Sequence, residues 1–377
     1  MTGVCKLTQS VVGLDIGTTA VRAVELSTNG KAKPTLLRIH EVALDDGAVS
    51  RGEVIESGTV VTALKKLWSE GGFKSKNVVL GMGNQHIFAR DLSVPKMPLD
   101  QIRDSLPFQV QNMLQVPLAD SLLDFYPISE SAGEHGPMIN GLLIAAEKNS
   151  ILENIRAVER AGLTAVEVDL IPFALNRLLI SQPRIKGIVA LINVGASTTN
   201  ILVAQDGVPQ FVRIIPAGGD DLTQGLKVGL EIASHRAEEM KRSLNLGVVS
   251  PVADESGYES SQCTCPLCVE ALAPHGYPQA KEILQEVTGE LLNGLRNTVK
   301  YFTSIRPQDP VEQILICGGG SQLSGFTKAL AEMVRIPVIT ADPFSSITIA
   351  RKVNSEKYLS KASSMAVALG LAIRQPV

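Results

Sequence analysis

VVGLDIGTTAVRAVEL (residues 11–26) and VALINVGASTTNILVA (residues 189–204) are the two stretches whose reading decides the fold. Each is an apolar, β-branched run, a polar residue, a glycine turn with small hydroxyl residues, and a second apolar run. That pattern is a strand, a tight turn and a second strand. Asn193 aligns with Asp15 at an offset of 178 residues (193 less 15), close to half of the 377-residue chain. Either turn alone also reads as an ordinary β-hairpin. The repeat at half-chain spacing points to two similar lobes, and its period is far too long for a solenoid.

Helical patterns lie between the strands. Val60, Val61, Leu64, Leu67 and Trp68 share one face, and residues 151–161 form a second helix that Gly162 closes. Leu99, Ile102, Leu106 and Val110 recur at helical spacing, with Pro107 expected to kink or split that segment. The stripe suits either a core or a partner groove. Strands alternating with helices give an α/β fold. Residues 127–141 read as a surface loop, and residues 247–279, with four prolines, as a long loop insertion.

Composition narrows the function. Lys and Arg number 35 against 38 Asp and Glu, a net charge of −3, which argues against nucleic-acid binding by global positive charge. Mean hydropathy is +0.16 and charged residues are 19%, as in a globular chain. No apolar run approaches the length of a membrane span, and residues 1–10 lack a signal-peptide core. Five cysteines, an odd number, do not form a secreted disulfide framework, so the cytoplasm is the expected compartment.

Turns of glycine and small hydroxyl residues offer backbone N–H groups to an anion. Gly17, Thr18 and Thr19 form one such turn, and Gly195, Ala196, Ser197, Thr198 and Thr199 the other. Facing one another, they could grip a polyphosphate, with Asp15 holding Mg²⁺ through water. In ILICGGGSQLSGF (residues 314–326) a strand ends in Gly318, Gly319, Gly320 and Ser321, where a flat ring can approach the backbone. Between these features lie Gly218 and Gly219, and then Glu238 and Lys241, three residues apart on one helix face. That pair suits a surface ion pair or contacts to a nucleoside. The P-loop and dinucleotide fingerprints are absent.

In this order, DIGTTAVRAVEL, NVGASTTNI, AGGDDLT, AEEMK and ICGGGSQLSGF resemble the superfamily of actin, the heat-shock chaperones and the sugar kinases. The closer resemblance is to the PilM family, actin-like cytoplasmic proteins of type IV pilus assembly similar to the division protein FtsA. Residues 98–125 and 145–175 carry that closer likeness, which covers nearly everything except residues 247–279. The resemblance implies an actin-like (ribonuclease H-like) fold. A first lobe would span residues 1–185, with an inserted subdomain at about 85–165, and a second residues 186–377. It implies ATP with Mg²⁺ in the cleft. Asp15, Gly17, Thr18 and Thr19 fall on the first phosphate motif, and Asn193, Gly195, Ser197, Thr198 and Thr199 on the second. Gly218 and Gly219 fall on the phosphate/ribose turn, Glu238 and Lys241 on the nucleoside helix, and Gly318, Gly319, Gly320 and Ser321 on the adenosine motif.

The second phosphate motif usually begins with Asp. Asn193 lacks that charge, so slow or absent hydrolysis is expected, at most a weak ATPase. The implied partner is the N-terminal cytoplasmic peptide of an inner-membrane PilN-type protein, docking near the inserted subdomain. Other pilus assembly proteins, a motor ATPase and self-association are compatible with it. Localisation would be cytoplasmic, peripheral to the inner membrane through partners, with no direct membrane insertion. The alternatives are a small-molecule kinase of the same superfamily and an FtsA-like filament protein, and the latter would need a C-terminal amphipathic helix. Residues 365–373 read instead as a buried final helix. Cys263, Cys265, Cys268 and His275 could ligate zinc, with free or redox-active thiols as the other reading. Cys317 reads as a buried strand residue.

Overall fold

The computed structural model describes residues 11–27, 33–114, 116–134, 136–246, 276–353, 358 and 361–373. The N-terminal half opens with β1 (Val12–Ile16), β2 (Ala20–Ser27) and β3 (Thr35–Ala43), an antiparallel meander. A small hairpin of β4 (Val49–Ser50) and β5 (Glu53–Val54) leads into α1 (Ser57–Gly71), and β6 (Asn77–Met82) returns parallel to β1. α1 buries Val60, Val61, Leu64 and Leu67, the face its spacing predicts.

An insert follows: β7 (Ile87–Pro95), α2 (Leu99–Gln109), β8 (Ser121–Gly133) and β9 (Gly136–Glu147). Its sheet order is β7-β9-β8. Ile102, Leu106 and Val110 of the α2 stripe are fully buried with Val94, Phe125 and Leu143 in a core of the insert's own. The stripe is therefore core and unavailable to a partner. Then come α3 (Lys148–Arg160), β10 (Thr164–Leu170) and α4 (Ile171–Asn176). Gly162, at φ +81°, ends α3 as expected. Ile151, Ala157 and Val158 of α3 belong to the main core, and the insert's own sheet ends at Glu147.

The second half repeats the plan. β11 (Ile188–Val194), β12 (Thr199–Gln205) and β13 (Val208–Ile215) form a second antiparallel meander. α5 (Gly219–Gly229), α6 (Ser234–Ser243) and α7 (Gly276–Ile305) precede β14 (Gln313–Cys317), which is parallel to β11. α8 (Phe326–Val334) and β15 (Val338–Thr340) complete this sheet, in the order β13-β12-β11-β14-β15. The first sheet runs β3-β2-β1-β6-β10 in the corresponding positions. The two lobes thus share strand order and strand directions, as the repeated turns suggest.

The chain then crosses back. β16 (Thr348–Ile349) pairs with β3, and α9 (Ala362–Ala372) covers β1 and β2. These residues lie on the first sheet although they fall in the chain's second half, because α9 is apolar on every side and needs a sheet to bury it. Gly13 permits the close contact: a Cβ there would stand 2.2 Å from the Ala368 carbonyl oxygen.

Three local expectations are corrected. Residues 127–141 are the end of a long hairpin, not a loop. Edge strand β8 carries Pro127 at a register shift, where a missing N–H costs no ladder bond. Pro107 does not split α2. It sits in the last turn, where the one lost bond leaves the carbonyl of exposed Arg103 to water, and Val110 N–H still donates to Leu106 O at 3.0 Å. Residues 276–279 begin α7 rather than ending a loop. Residues 247–275, with Cys263, Cys265, Cys268 and His275, lie outside the described residues. No helix among the described residues is long and apolar enough to cross a membrane.

Candidate functional site

The two glycine turns close alike. Gly17 N–H donates to Ala20 O at 3.1 Å, and Gly195 N–H to Thr198 O at 2.9 Å. The flanking registers match, Ile16 with Val21 and Val194 with Thr199. These glycine N–H groups are therefore turned inward. The donors that remain are the N–H groups of Thr18, Thr19, Ala196 and Ser197, which make no backbone hydrogen bond among the described residues. The turns meet across the cleft, where Thr18 Oγ1 and Ser197 Oγ are 2.5 Å apart.

Asp15 lies on β1, buried beside the first turn. Its cross-strand neighbour Arg22 places Nη1 3.5 Å from Asp15 Oδ2 and Nε 3.5 Å from Glu41 Oε2. Lys361 pairs with Glu41 in turn. Burial raises the Asp15 carboxyl above the ordinary range, and Arg22 offsets this only in part. A carboxyl raised by folding is a burden to the folded state while it is ionised. Asp15→Asn is therefore expected to raise Tm at pH 7, and the gain should shrink as pH falls through the raised folded-state value, where Asp15 itself becomes neutral. Melting curves between pH 4 and pH 8 check this. A lower Tm at pH 7 would mean that attraction to Arg22 outweighs burial.

Asn193 is the corresponding residue of β11, also buried, with Cys317 Sγ 3.6 Å from its Oδ1. Cys317 is buried as expected, and burial pushes its thiol up to about 12. Thr199 is fully buried, its hydroxyl donating to Ala217 O at 2.7 Å, so it braces the turn instead of facing the cleft.

The N-terminus of α5 seals the second turn from behind. Gly219 N–H donates to Gly195 O at 2.9 Å and Asp220 N–H to Ala196 O at 2.7 Å. A Cβ on Gly218 would lie 2.5 Å from Ala196 O, so only glycine fits there. α6 brings Glu238 and Lys241 to the same place. Their ion pair is 2.6 Å, and Lys241 Nζ also donates to Gly219 O at 2.9 Å and to Thr223 Oγ1 at 2.8 Å. Burial disfavours charge on Glu238, but Lys241, Thr223 and Arg242 together hold its carboxyl below the ordinary range. The ion-pair reading of the spacing holds, and the pair is anchored to the glycine turn rather than lying free on the surface.

Gly318 follows β14 at φ +92°, and a Cβ there would lie 2.2 Å from Val194 O. Gly320 is also closely packed, with a Cβ there 2.7 Å from Val194 Cγ1 and 2.8 Å from Gly195 O. Gly319 is exposed, and a Cβ on it would meet nothing within 4 Å. Ser321 Oγ donates to Gly318 O at 2.8 Å and steadies the turn. The three glycines thus divide their work: two let the turn pack on β11, and the middle one leaves an open backbone surface.

Sequence reasoning missed two arginines. Arg22 is legible only through its register with Asp15. Arg51, in the β4–β5 turn, reaches across the cleft to Ser197 O and Asp221 Oδ1, both at 3.4 Å. His86, one of the histidines without an obvious role in the sequence, sits between Glu53 at 3.3 Å and Glu147 at 3.0 Å, where the insert joins the first lobe.

Known proteins agree with this architecture. The PilM-PilN type IV pilus biogenesis complex contains a chain with a TM-score of 0.78 and 24% identity, covering 97% of this chain and 99% of that one. The MreB 5 protein of Spiroplasma citri, solved bound to AMPPNP, has a TM-score of 0.52 at 13% identity, covering 96% and 95% of the two chains. The fold is therefore actin-like. The cell division protein FtsA of Bacillus subtilis is 23% identical over 273 residues, 66% of this chain, and the match spans 61% of the FtsA length. The family model described as type IV pilus assembly protein PilM matches residues 13–250 and 271–376. With both lobes and the insert inside that match, the chain belongs to the PilM family of type IV pilus assembly proteins.

Proposed function

We propose that this protein is a nucleotide-binding adaptor of a type IV pilus machine. In this reading ATP occupies the cleft between the two glycine turns, and the insert docks the N-terminal peptide of an inner-membrane PilN-type protein. The observation that carries the reading is the meeting of four features in one cleft: two matched turns with outward N–H donors, the buried Asp15, the Glu238–Lys241 pair and the open backbone at Gly319.

The donor set suits a polyphosphate. Thr18, Thr19, Ala196 and Ser197 offer N–H groups, and Arg22, Arg51 and Lys241 offer positive charge. Mg²⁺, when bound with the nucleotide, would neutralise phosphate charge. Among the described residues no group of three or more His, Cys, Asp or Glu is arranged to hold a metal. Asp15 would therefore act through water, in keeping with the hydration Mg²⁺ retains. Asn193 brings no carboxylate, so the chain has one acid where activating a water for attack would favour two. Nucleotide thus sets shape and is turned over slowly or not at all, and the site favours an adaptor over a kinase.

The insert is tied to the second lobe. Arg306, at the end of α7, donates to Gln210 Oε1 on β13 at 2.6 Å and lies 3.7 Å from Asp91 Oδ1 on β7. Movement of the second lobe is therefore felt by the insert. Phe108 of α2 is 87% exposed and Leu122 of β8 is also exposed, two apolar side chains of the insert that a peptide could cover. Recruitment to the inner membrane would then run through the peptide's owner.

Titration with Mg-ATP, with phosphate release followed in the same samples, tests the nucleotide half. Binding with little release is expected, and Asn193→Asp should raise release at least tenfold. Fast turnover by the wild type, unchanged by that substitution, would replace the adaptor with an enzyme.

A further inference from the structure

The second lobe carries a cavity of about 320 Å³ that shares no lining residue with the nucleotide turns or the insert. One wall is a single face of α7, where Arg296, Val299, Lys300 and Thr303 follow at helical spacing. The other is Val334, the last residue of α8, and Ile336 before β15. Val299, Val334 and Ile336 give the lining its apolar part, Thr303 and Ser304 add hydroxyls, and its two charges, Arg296 and Lys300, are both positive.

Arg296 Nε is buried and makes no hydrogen bond, and its Nη2 donates to Asn297 Oδ1 at a long 3.5 Å. Arg296 and Lys300 both line the cavity, and a carboxylate entering it would meet their positive charge. Lys300 is exposed and makes no ion pair among the described residues. Arg335, between the two α8-side lining residues, is exposed as well. Glu332, the acid nearest to them in sequence, pairs with Lys328 at 3.9 Å. A positive groove on a chain of net charge −3 is a local feature of the fold and not a general property of its surface.

We propose that this cavity is a docking site for an acidic segment of a partner protein. A Glu or Asp carboxylate meets Arg296 and Lys300, and a neighbouring leucine-sized side chain rests on Val299, Val334 and Ile336. The charge complementarity selects this occupant over a neutral apolar one. The site is separate from the insert, so it allows two partners to be held at once.

The test is fluorescence anisotropy of a fluorescein-labelled peptide, acetyl-Glu-Leu-Glu-Glu-Leu-Glu-amide, against the full chain at 50 mM and 150 mM salt. A second peptide carries Gln in place of every Glu. Saturable binding by the acidic peptide is expected, weakened by salt and at least tenfold weaker for the Gln peptide. Lys300→Glu, at an exposed position that does not endanger folding, should weaken the acidic peptide at least tenfold with Tm unchanged. Arg296→Gln should weaken it further, and Phe108→Ala should leave it unaltered. Equal binding of both peptides, no binding of the acidic one, or no effect of Lys300→Glu would overturn the proposal. So would a self-associating chain whose dimer Lys300→Glu dissolves while peptide binding persists, since the groove's occupant would then be a second copy.

Discussion

Gly319→Val is expected to fold as the wild type does and to bind Mg-ATP about a hundredfold more weakly, a loss of about 2.8 kcal/mol. Position 319 is exposed, has no positive φ, and has nothing within 4 Å of a new Cβ. The stability change should therefore stay within about 0.5 kcal/mol. A base lying on the backbone of residues 318–320 would meet the valine directly. Gly318→Val provides the contrast. There φ is +92° and the Cβ would collide with Val194 O at 2.2 Å and Asn193 Oδ1 at 2.7 Å. Strain and overpacking together should cost about 3–5 kcal/mol, enough to lower Tm by roughly 10 °C or to prevent folding. Melting curves and titration of a fluorescent ATP analogue on both variants separate the two effects. Normal nucleotide affinity in a well-folded Gly319→Val protein would remove the adenosine from this turn.

The second large effect is expected from closing the cleft covalently. Thr18 Oγ1 and Ser197 Oγ are 2.5 Å apart on turns from different lobes. A polyphosphate lodged between the turns has to part that contact. In the Thr18→Cys/Ser197→Cys double variant the two sulfurs are placed to bond. Oxidation should then lower Mg-ATP affinity by at least a hundredfold, and reduction should restore it. Each single variant, treated with the same oxidant, controls for the five native cysteines. Undiminished binding to the crosslinked protein would mean that nucleotide does not enter between the turns.

The repeated turns made the duplicated lobes legible because their pattern fixes local structure: an apolar strand, an inward-facing glycine N–H and a matched register on either side. α1 and the end of α3 were legible for similar reasons, periodicity in one and Gly162 in the other. The β8–β9 hairpin was not, because most of β8 is exposed, its apolar residues included, which hides the period-two signal. The return of β16 and α9 to the first sheet was hidden as well. Residues 365–373 announce a buried helix but not which sheet buries it.

At the site, the turn residues could be named from sequence, whereas their individual jobs depend on hydrogen bonds that spacing does not encode. Thr199 braces the turn, and Gly218 and Gly320 pack it, while Gly319 stays open. Arg51 joins the site only because the β4–β5 turn carries it over the cleft, more than a hundred residues from its contact at Ser197.

Nucleotide in the cleft and a peptide on the insert are expected to be energetically linked, with Arg306 joining the second lobe to the insert. The most direct measurement is calorimetric titration of the full chain with the N-terminal peptide of the proposed PilN-type partner, with and without saturating Mg-ATP. Peptide affinity is expected to change at least fivefold with nucleotide, and Phe108→Ala to weaken it in both states. An identical affinity with and without Mg-ATP, in samples shown to bind both ligands, would contradict the linkage.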